Sequence, residues 1–247
     1  MIRRVRCRVD SVVDHGEHVF TIELAPETPV PPFKPGQFLH LTLDEYEPSR
    51  HWPESRVFSI ASSPRELNSI RILYSAIGPY SRRMERELRE GSVVWIKLPY
   101  GEFVIDSSHD VVLVAGGTGI SAYTAFLEGL KPDHSRKVML VYGARNPELM
   151  TCRQMLLGLL TRVPTFNAVL FAEQASREYI SAQSQLPGER LRQKIGRISI
   201  EGFWTLLQDP LNQVYYLSGP PQMLTALSSG LRERGLPSGN VRMDAWE

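Results

Sequence analysis

Cysteine is nearly absent: the 247-residue chain has two, Cys7 and Cys152, one in each half. A disulfide framework is not expected, and there are too few thiols for an iron–sulfur cluster held by four cysteines. No stretch approaches the roughly 18 consecutive apolar residues of a membrane-spanning helix. The opening MIRRVRCRVD has charge but no apolar core, so it does not resemble a signal peptide. Neither sign of charge is in excess, with 28 Lys and Arg against 27 Asp and Glu and a net charge of +1. That removes the global electrostatic case for a nucleic-acid or anionic-membrane partner. His15, His18, His40, His51, His109 and His134 are scattered without metal-ligand spacing, so no metal site is expected. No G-x-S-x-G marks a hydrolase. These absences fit a protein of the reducing cytoplasm. They leave its oligomeric state open.

What is present is ordinary globular composition, 42% hydrophobic and 22% charged, in a chain long enough for two modest domains. Up to Asp106 the grammar is that of short strands. Val5, Cys7 and Val9 alternate with polar residues, as do Phe20, Ile22 and Leu24; Leu39, Leu41 and Leu43; and Ile70, Ile72 and Tyr74. Val94–Leu98 makes a further strand. Period-two alternation over many short runs predicts an antiparallel sheet closed into a small barrel. One helix interrupts it, with Ser81 as the expected N-cap and Gly91 ending Arg82–Glu90.

After Asp106 strands alternate with helices. Val111–Ala115 is a continuous apolar run, as expected of a strand buried on both faces. A helix to Leu130 follows, then a strand over Val138–Tyr142. Asn146 and Pro147 open a helix expected to run to about Thr161. Strands at Phe166–Phe171 and Val214–Leu217 precede a last helix from Pro221, with Gly235 past its end. This pattern implies a doubly wound parallel sheet over 107–247, behind a barrel domain over 1–106. Asp44–Ser55 and Glu173–Arg190 are expected to be long polar loops, and Cys152 to sit within an amphipathic helix.

Two constellations carry chemistry. Gly117-Thr118-Gly119-Ile120-Ser121-Ala122 fits G-x-G-x-x-[GA] between a strand and a helix. There glycines let backbone approach a pyrophosphate, and the helix N-terminus offers unpaired N–H groups. A tight strand–helix turn that needs only small residues is the alternative. Arg56-Val57-Phe58-Ser59 puts a cation, a ring and a hydroxyl on one short strand, with Arg56 and Phe58 on one face and Ser59 opposite unless the strand bends. Gly78-Pro79-Tyr80-Ser81 opens the barrel-half helix with Arg82 and Arg83 in its first turn, where basic residues oppose the helix dipole. A bound pyrophosphate would explain them, and so would solvation.

The chain resembles the ferredoxin–NADP reductase superfamily in the order of its motifs. Pro35-Gly36-Gln37-Phe38, Arg56–Ser59, Gly78–Ser81, Pro99-Tyr100-Gly101-Glu102-Phe103, Gly116–Ile120, Tyr142-Gly143-Ala144-Arg145 and Ser218-Gly219-Pro220-Pro221-Gln222-Met223 follow one another along nearly the whole length. The resemblance implies FAD in the barrel and NADPH or NADH on the parallel sheet. It makes Arg56 the partner of the FAD pyrophosphate and Ser59 the hydroxyl near flavin N5. It makes Gly78 and Ser81 the phosphate turn, and it adds Phe58 and Tyr74 to the FAD contacts. Trp246 would lie against the FAD, or simply pack on the sheet edge. For the dinucleotide it implies Gly117, Thr118, Gly119, Arg145, Gly219, Pro220 and Met223, with Ser218 beside the site of hydride transfer. Ser176 and Arg177 resemble a 2′-phosphate clamp, with Arg190, Arg192, Lys194 and Arg197 adding charge and Glu173 opposing it; the balance favours NADPH.

Two positions depart from the family pattern: Phe58 stands where tyrosine is usual and Ser218 where cysteine is usual. The implied activity is an FAD-dependent NAD(P)H oxidoreductase. With no cluster-binding cysteines here, its electrons would go to a separate redox protein, ferredoxin or flavodoxin by family default. An NAD(P)H:flavin reductase, the reductase subunit of a multicomponent oxygenase and a non-catalytic flavin- or nucleotide-binding regulator are the alternatives.

Overall fold

The computed structural model describes residues 1–176 and 190–244. The chain divides into two compact units. The first is Met1–Val104 together with Ser121–Phe126; the second is Ile105–Ile120 and the described residues from Leu127 on.

The first unit holds strands β1 (Arg3–Asp14), β2 (Val19–Pro26), β3 (Phe38–Thr42), β4 (Arg56–Ser59), β5 (Ile70–Ser75) and β6 (Val93–Tyr100), and helix α1 (Pro79–Glu87). The strands pair antiparallel in the order β4-β3-β6-β1-β2-β5. Ala61 N–H, just past β4, donates to the carbonyl of Arg71 on β5 (2.9 Å), so the sheet nearly closes on itself. The alternation in the sequence is the cause. Val5, Cys7, Val9, Ile22, Leu24, Leu39, Leu41, Ile70, Ile72, Val94, Ile96 and Leu98 all point inward and are buried. Each large aliphatic among them contributes roughly 1.5–3 kcal/mol of transfer free energy. Burial pushes the Cys7 thiol up to about 12, so it behaves as core. β3 stops at Thr42, short of Leu43, whose N–H is taken by the Tyr80 hydroxyl (3.0 Å). The Asp44–Ser55 segment contains no strand or helix. Tyr46 and Trp52 anchor it, packing on each other and, through Tyr46, on Trp95 of β6.

Helix α1 is capped by Gly78, not by Ser81. Pro79 at the first helical position holds the residue before it extended, which moves the cap to Gly78. Ser81, three residues on, exchanges hydrogen bonds with Gly78: it accepts from the Gly78 N–H and donates to the Gly78 carbonyl, both at 3.1 Å. The helix ends at Glu87, earlier than Glu90, because Leu88 turns extended and buries its side chain; Gly91 then takes a φ of 85° in the turn that follows.

The second unit contains β7 (Val111–Gly116), α2 (Ser121–Gly129, whose first six residues count with the barrel unit), β8 (Val138–Ala144), α3 (Arg153–Arg162), β9 (Phe166–Ala172), β10 (Leu191–Ile195), α4 (Ile200–Trp204), β11 (Val214–Ser218), α5 (Pro221–Glu233) and β12 (Val241–Met243). The six strands are all parallel, in the order β10-β9-β8-β7-β11-β12. From β7 the chain winds outward through β8, β9 and β10, then returns to the other side of β7 for β11 and β12. The reversal opens a crevice at the carboxyl ends of β7 and β11. No helix among the described residues is long and apolar enough to cross a membrane.

The helix expected from Asn146 is broken. Asn146 caps a single 3-10 turn, accepting from Leu149 N–H at 3.1 Å, and α3 begins only at Arg153. The Leu149 carbonyl, which a continuous helix would offer to residue 153, accepts from the Tyr142 hydroxyl instead (3.3 Å). Cys152 is consequently the N-cap of α3 and not part of its interior. β10, α4 and β12 have no counterpart in the expected elements.

Candidate functional site

In the barrel unit, the register of β4 on β3 pairs Leu41 with Arg56, Leu39 with Phe58 and Phe38 with Ser59. Directly opposed residues of paired strands lie on one face. Arg56 and Phe58 therefore share the side of Leu39 and Leu41, while Ser59 lies on the other side and is buried. Phe58 packs edge-on against Tyr74 (5.9 Å between centroids), and Tyr74 stacks on Phe20. Arg56 remains exposed, bonded to Glu54 (2.9 Å) and to the Ser55 carbonyl (2.9 Å).

Tyr80, the second residue of α1, brings Arg56 and the Gly78–Ser81 turn together. The Arg56 guanidinium lies over the Tyr80 ring, 4.9 Å from its centroid. The Tyr80 hydroxyl donates toward the carbonyls of Leu41 (3.2 Å) and Glu54 (3.3 Å). A fixed cation thus stands beside the N-terminus of a nine-residue helix, the donor set an anion such as a pyrophosphate needs. Ser62 Oγ and the Tyr74 hydroxyl of the same unit, along with the indole N–H groups of Trp52 and Trp95, are buried with no protein partner, as groups awaiting a polar ligand would be. Burial holds the Tyr74 phenol well above its ordinary pKa. The arginines of the first turn do not need an external anion. Arg83 binds Asp44 (2.7 Å) and Glu87 (2.9 Å), and Arg82 donates to the Ile77 carbonyl (3.3 Å). The Arg83 hydrogen bond in turn holds the Asp44 carboxyl below its ordinary range.

Two other motifs of this unit lock together. Gln37 donates to the Gly101 carbonyl (3.1 Å), and a Cβ at Gly36 would overlap the Phe103 carbonyl oxygen. They border a groove of about 460 Å³ lined by Pro32, Phe33, Lys34, Gln37, Gly101 and Glu102.

In the second unit, Gly117–Ile120 forms a 3-10 turn that leads straight into α2, as the G-x-G-x-x-[GA] fit anticipates. Its glycines serve different ends. A Cβ on Gly119 would stand 2.5 Å from the Ser218 carbonyl oxygen, and one on Gly116 would stand 2.7 Å from Met223 Sδ. Gly219, with φ 148°, is equally close to Met223. These contacts clamp the turn after β7 onto the turn after β11. Gly117 differs: its φ is 55° and a Cβ there would meet nothing within 4 Å, leaving open space over the backbone. That is the shape a phosphate-bearing ligand requires at a strand–helix turn.

Residues 113–229 match the family model for the oxidoreductase NAD-binding domain. The chain is 25% identical over 256 residues to the reductase component of phenol 2-monooxygenase from Pseudomonas sp. (strain CF600), covering 96% of this chain and 64% of that one. It is 33% identical over 152 residues to an NAD(P)H-flavin reductase of Aliivibrio fischeri, covering 58% of this chain and 61% of the relative. The fold matches that of a ferredoxin NADP+ reductase from Neisseria gonorrhoeae, solved with FAD and NADP, with a TM-score of 0.73, 19% identity and 98% of both chains covered. The chain is similar to ferredoxin reductase-like FAD/NAD-binding proteins in sequence and in fold. It spans about two thirds of the length of the phenol 2-monooxygenase component.

Thr118 sits in the 3-10 turn, while Gly219, Pro220 and Met223 form the facing turn at the head of α5. Arg145 follows β8, where its carbonyl accepts from Gln174 N–H (2.8 Å). Of the basic residues expected to supplement the 2′-phosphate clamp, two are committed elsewhere. Arg190 donates to the carbonyls of Leu160, Val163, Pro164 and Phe166 at the end of α3, and Arg197 pairs with Glu173 (3.0 Å). Arg192 and Lys194 lie on the edge strand β10. Ser176 is the last described residue before the break; Arg177 and Trp246 lie outside the described residues.

One buried acid lies outside every motif named above. Asp244 is buried at the end of β12, and its carboxylate accepts from Ser218 Oγ (2.9 Å). Burial pushes its carboxyl up to about 6, against the opposing effect of the Ser218 hydrogen bond. The only signal in the sequence is an acid directly after a short strand, which describes countless surface positions as well.

Proposed function

We propose that the chain is an FAD-dependent oxidoreductase that takes hydride from NAD(P)H and passes electrons to a separate redox protein. One observation carries the reading: the glycine turn after β7 and the Ser218–Met223 turn after β11 close on each other at the switch point of a parallel sheet. Residues 107–247 would hold the dinucleotide, with Gly117, Thr118 and Gly119 at its phosphates and Ser218 near the nicotinamide. Residues 1–106 would hold FAD, with Arg56 and the Gly78–Ser81 turn on the pyrophosphate and Ser59 by the ring. The flavin, when bound, supplies the hydride-accepting and electron-splitting chemistry. The protein's share is binding, orientation and charge.

The acceptor follows from what relatives are called. Several are reductase components of oxygenases, which favours an oxygenase or its ferredoxin as the partner over a flavodoxin. A cytoplasmic location fits two free cysteines. As to the donor, NADPH would draw on Arg192, Lys194, Ser176 and Arg177. The Glu173–Arg197 pair favours a second reading, NADH, because a carboxylate at the end of β9 suits ribose hydroxyls and repels a 2′-phosphate.

Anaerobic stopped-flow mixing with NADPH and NADH tests both points. Rapid flavin bleaching by at least one is the expected result, and bleaching by neither would defeat the proposal. Glu173→Gln should shift the NADPH-to-NADH rate ratio toward NADPH; an unchanged ratio would remove Glu173 from donor selection.

A further inference from the structure

The tip of the β1–β2 hairpin carries strain that chain reversal alone does not require. Gly16, Glu17 and His18 take φ values of 84°, 47° and 63°, three successive residues in the left-handed region. Glycine adopts that region freely, whereas glutamate and histidine do so at a cost. Asn-Gly or Asp-Gly would turn the chain with less strain. Such strain persists where the surrounding structure holds it, and it clusters at functional sites. Two contacts hold His18. Its carbonyl accepts from Ala76 N–H (2.8 Å), and its Nδ1 pairs with Glu85 Oε1 of α1 (2.8 Å). The His18 side chain is 66% exposed, and a pair that wet adds little to stability.

The two contacts straddle the Gly78–Ser81 turn. Ala76 directly follows β5 and stands two residues before Gly78, while Glu85 lies beyond the turn in the body of α1. Between them, the Ile77 carbonyl accepts from Arg82 Nε (3.3 Å), and Gly78 exchanges hydrogen bonds with Ser81 (both 3.1 Å). The connection is thus fixed from the hairpin on one side and from the first turn of the helix on the other. Tyr80, Met84 and Leu88 seat α1 on the barrel core. Apolar contact is non-directional, so it sets how deep the helix sits and not where its amides point.

We propose that His18 is a positioning residue for phosphate recognition: by holding Ala76 and Glu85 at once it aims the backbone N–H groups of the Gly78–Ser81 turn. It thereby sets how strongly a phosphate-bearing flavin is preferred over riboflavin. This rests on the reading of that turn as the FAD pyrophosphate site. His18 itself meets no ligand. A hydrogen bond weakens steeply as its angle closes, so a small rotation of the turn loses phosphate contacts and leaves those of the flavin ring in place. Asparagine tolerates the left-handed region, and its amide stands where the imidazole Nδ1 does. Glycine relieves the strain and retains the backbone contact alone.

The test titrates FAD and riboflavin into flavin-free protein, followed by flavin fluorescence. Wild type should prefer FAD. His18→Gly and Glu85→Ala should each lower the FAD-to-riboflavin affinity ratio by roughly fivefold, the scale of one net hydrogen bond, with riboflavin affinity unchanged. The double variant should fall no further than either single one, because both changes break the same contact. His18→Asn should restore the wild-type ratio. With FAD saturating, flavin reduction by NAD(P)H should keep its wild-type rate in every variant. An unchanged ratio in His18→Gly and Glu85→Ala overturns the proposal, as do additive losses in the double variant. A parallel fall in riboflavin affinity overturns it too, since that marks general loosening. If His18→Gly does not fold, Glu85→Ala decides. A wild type that binds FAD no better than riboflavin overturns the phosphate-turn reading and this proposal together; a clear wild-type preference that the variants keep overturns this proposal alone.

Discussion

A single residue can be expensive to the fold, and Asp244 is one. Its carboxyl is raised from 3.8 to about 6, so the fold prefers the protonated form. A raised acid contributes stability below its unfolded pKa and loses it as pH rises through the folded value. At 1.36 kcal/mol per unit, the ionised group costs about 3 kcal/mol at neutral pH. Asp244→Asn keeps an acceptor for Ser218 and removes the charge. It should be more stable than wild type by about 2 kcal/mol at pH 8, with the gain gone below about pH 4; urea unfolding across that range measures it, and equal stability at pH 8 would mean the carboxylate is not strained. Arg56 presents the opposite balance. It is exposed, and its ion pair with Glu54 is of the kind worth little to stability. Arg56→Ala should leave unfolding nearly unchanged while weakening FAD by roughly 1.5–3 kcal/mol, the scale of a charge-assisted hydrogen bond. Ser59→Ala should retain FAD and slow its reduction. FAD held as tightly by Arg56→Ala as by wild type would remove Arg56 from the site.

Among the elements, those with a clear period or a clear cap were legible, and those defined by a partner elsewhere were not. The inward alternation of β1, β2, β5 and β6 follows from the sequence because one face of each strand is buried. The apolar runs of β7 and β9 follow because both faces are. β10 (Leu-Arg-Gln-Lys-Ile) and β12 (Val-Arg-Met) are edge strands, and an edge carries polar residues that look like loop. The end of β3 depends on the Tyr80 hydroxyl, 37 residues from Leu43, and the break before α3 on the Tyr142 hydroxyl, which reaches back from the preceding strand. The C-terminus of α3 depends on Arg190, which local sequence marks only as one of several basic residues. Its guanidinium meets four backbone carbonyls. Arg190→Ala should therefore destabilise the protein by about 1–3 kcal/mol and leave dinucleotide affinity unchanged. A loss of NADP+ affinity at unaltered stability would return Arg190 to the cofactor.

For the whole molecule, the switch of grammar near Asp106 made the two-part architecture legible, since period-two strands and βαβ units cannot share one sheet type. The candidate binding residues stand out in the sequence as motifs, because glycine and charge in fixed order reflect backbone demands that few other residues meet. Their supporting partners were not: Tyr80 under Arg56, Arg197 on Glu173 and Asp244 on Ser218 come from 24 or more residues away. Each unit has its own apolar core, one centred on the barrel interior and one on the parallel sheet with α4 and α5. Each ligand should then protect backbone only in the unit that binds it. In hydrogen exchange, FAD should slow amides at Arg56–Ser62 and at Tyr80 and Ser81 at the helix start, where Pro79 has no amide to report and Arg82 already donates to the Gly78 carbonyl. A dinucleotide should slow Gly117–Ile120 and the amides of Gly219, Gln222 and Met223, leaving the barrel segments as they were. The distinction is sharp because Gly117 has open space above it, whereas Gly116 and Gly119 are already packed on the facing turn. Protection of the FAD segments by the dinucleotide in flavin-free protein would mean that the barrel motifs have been assigned to the wrong ligand.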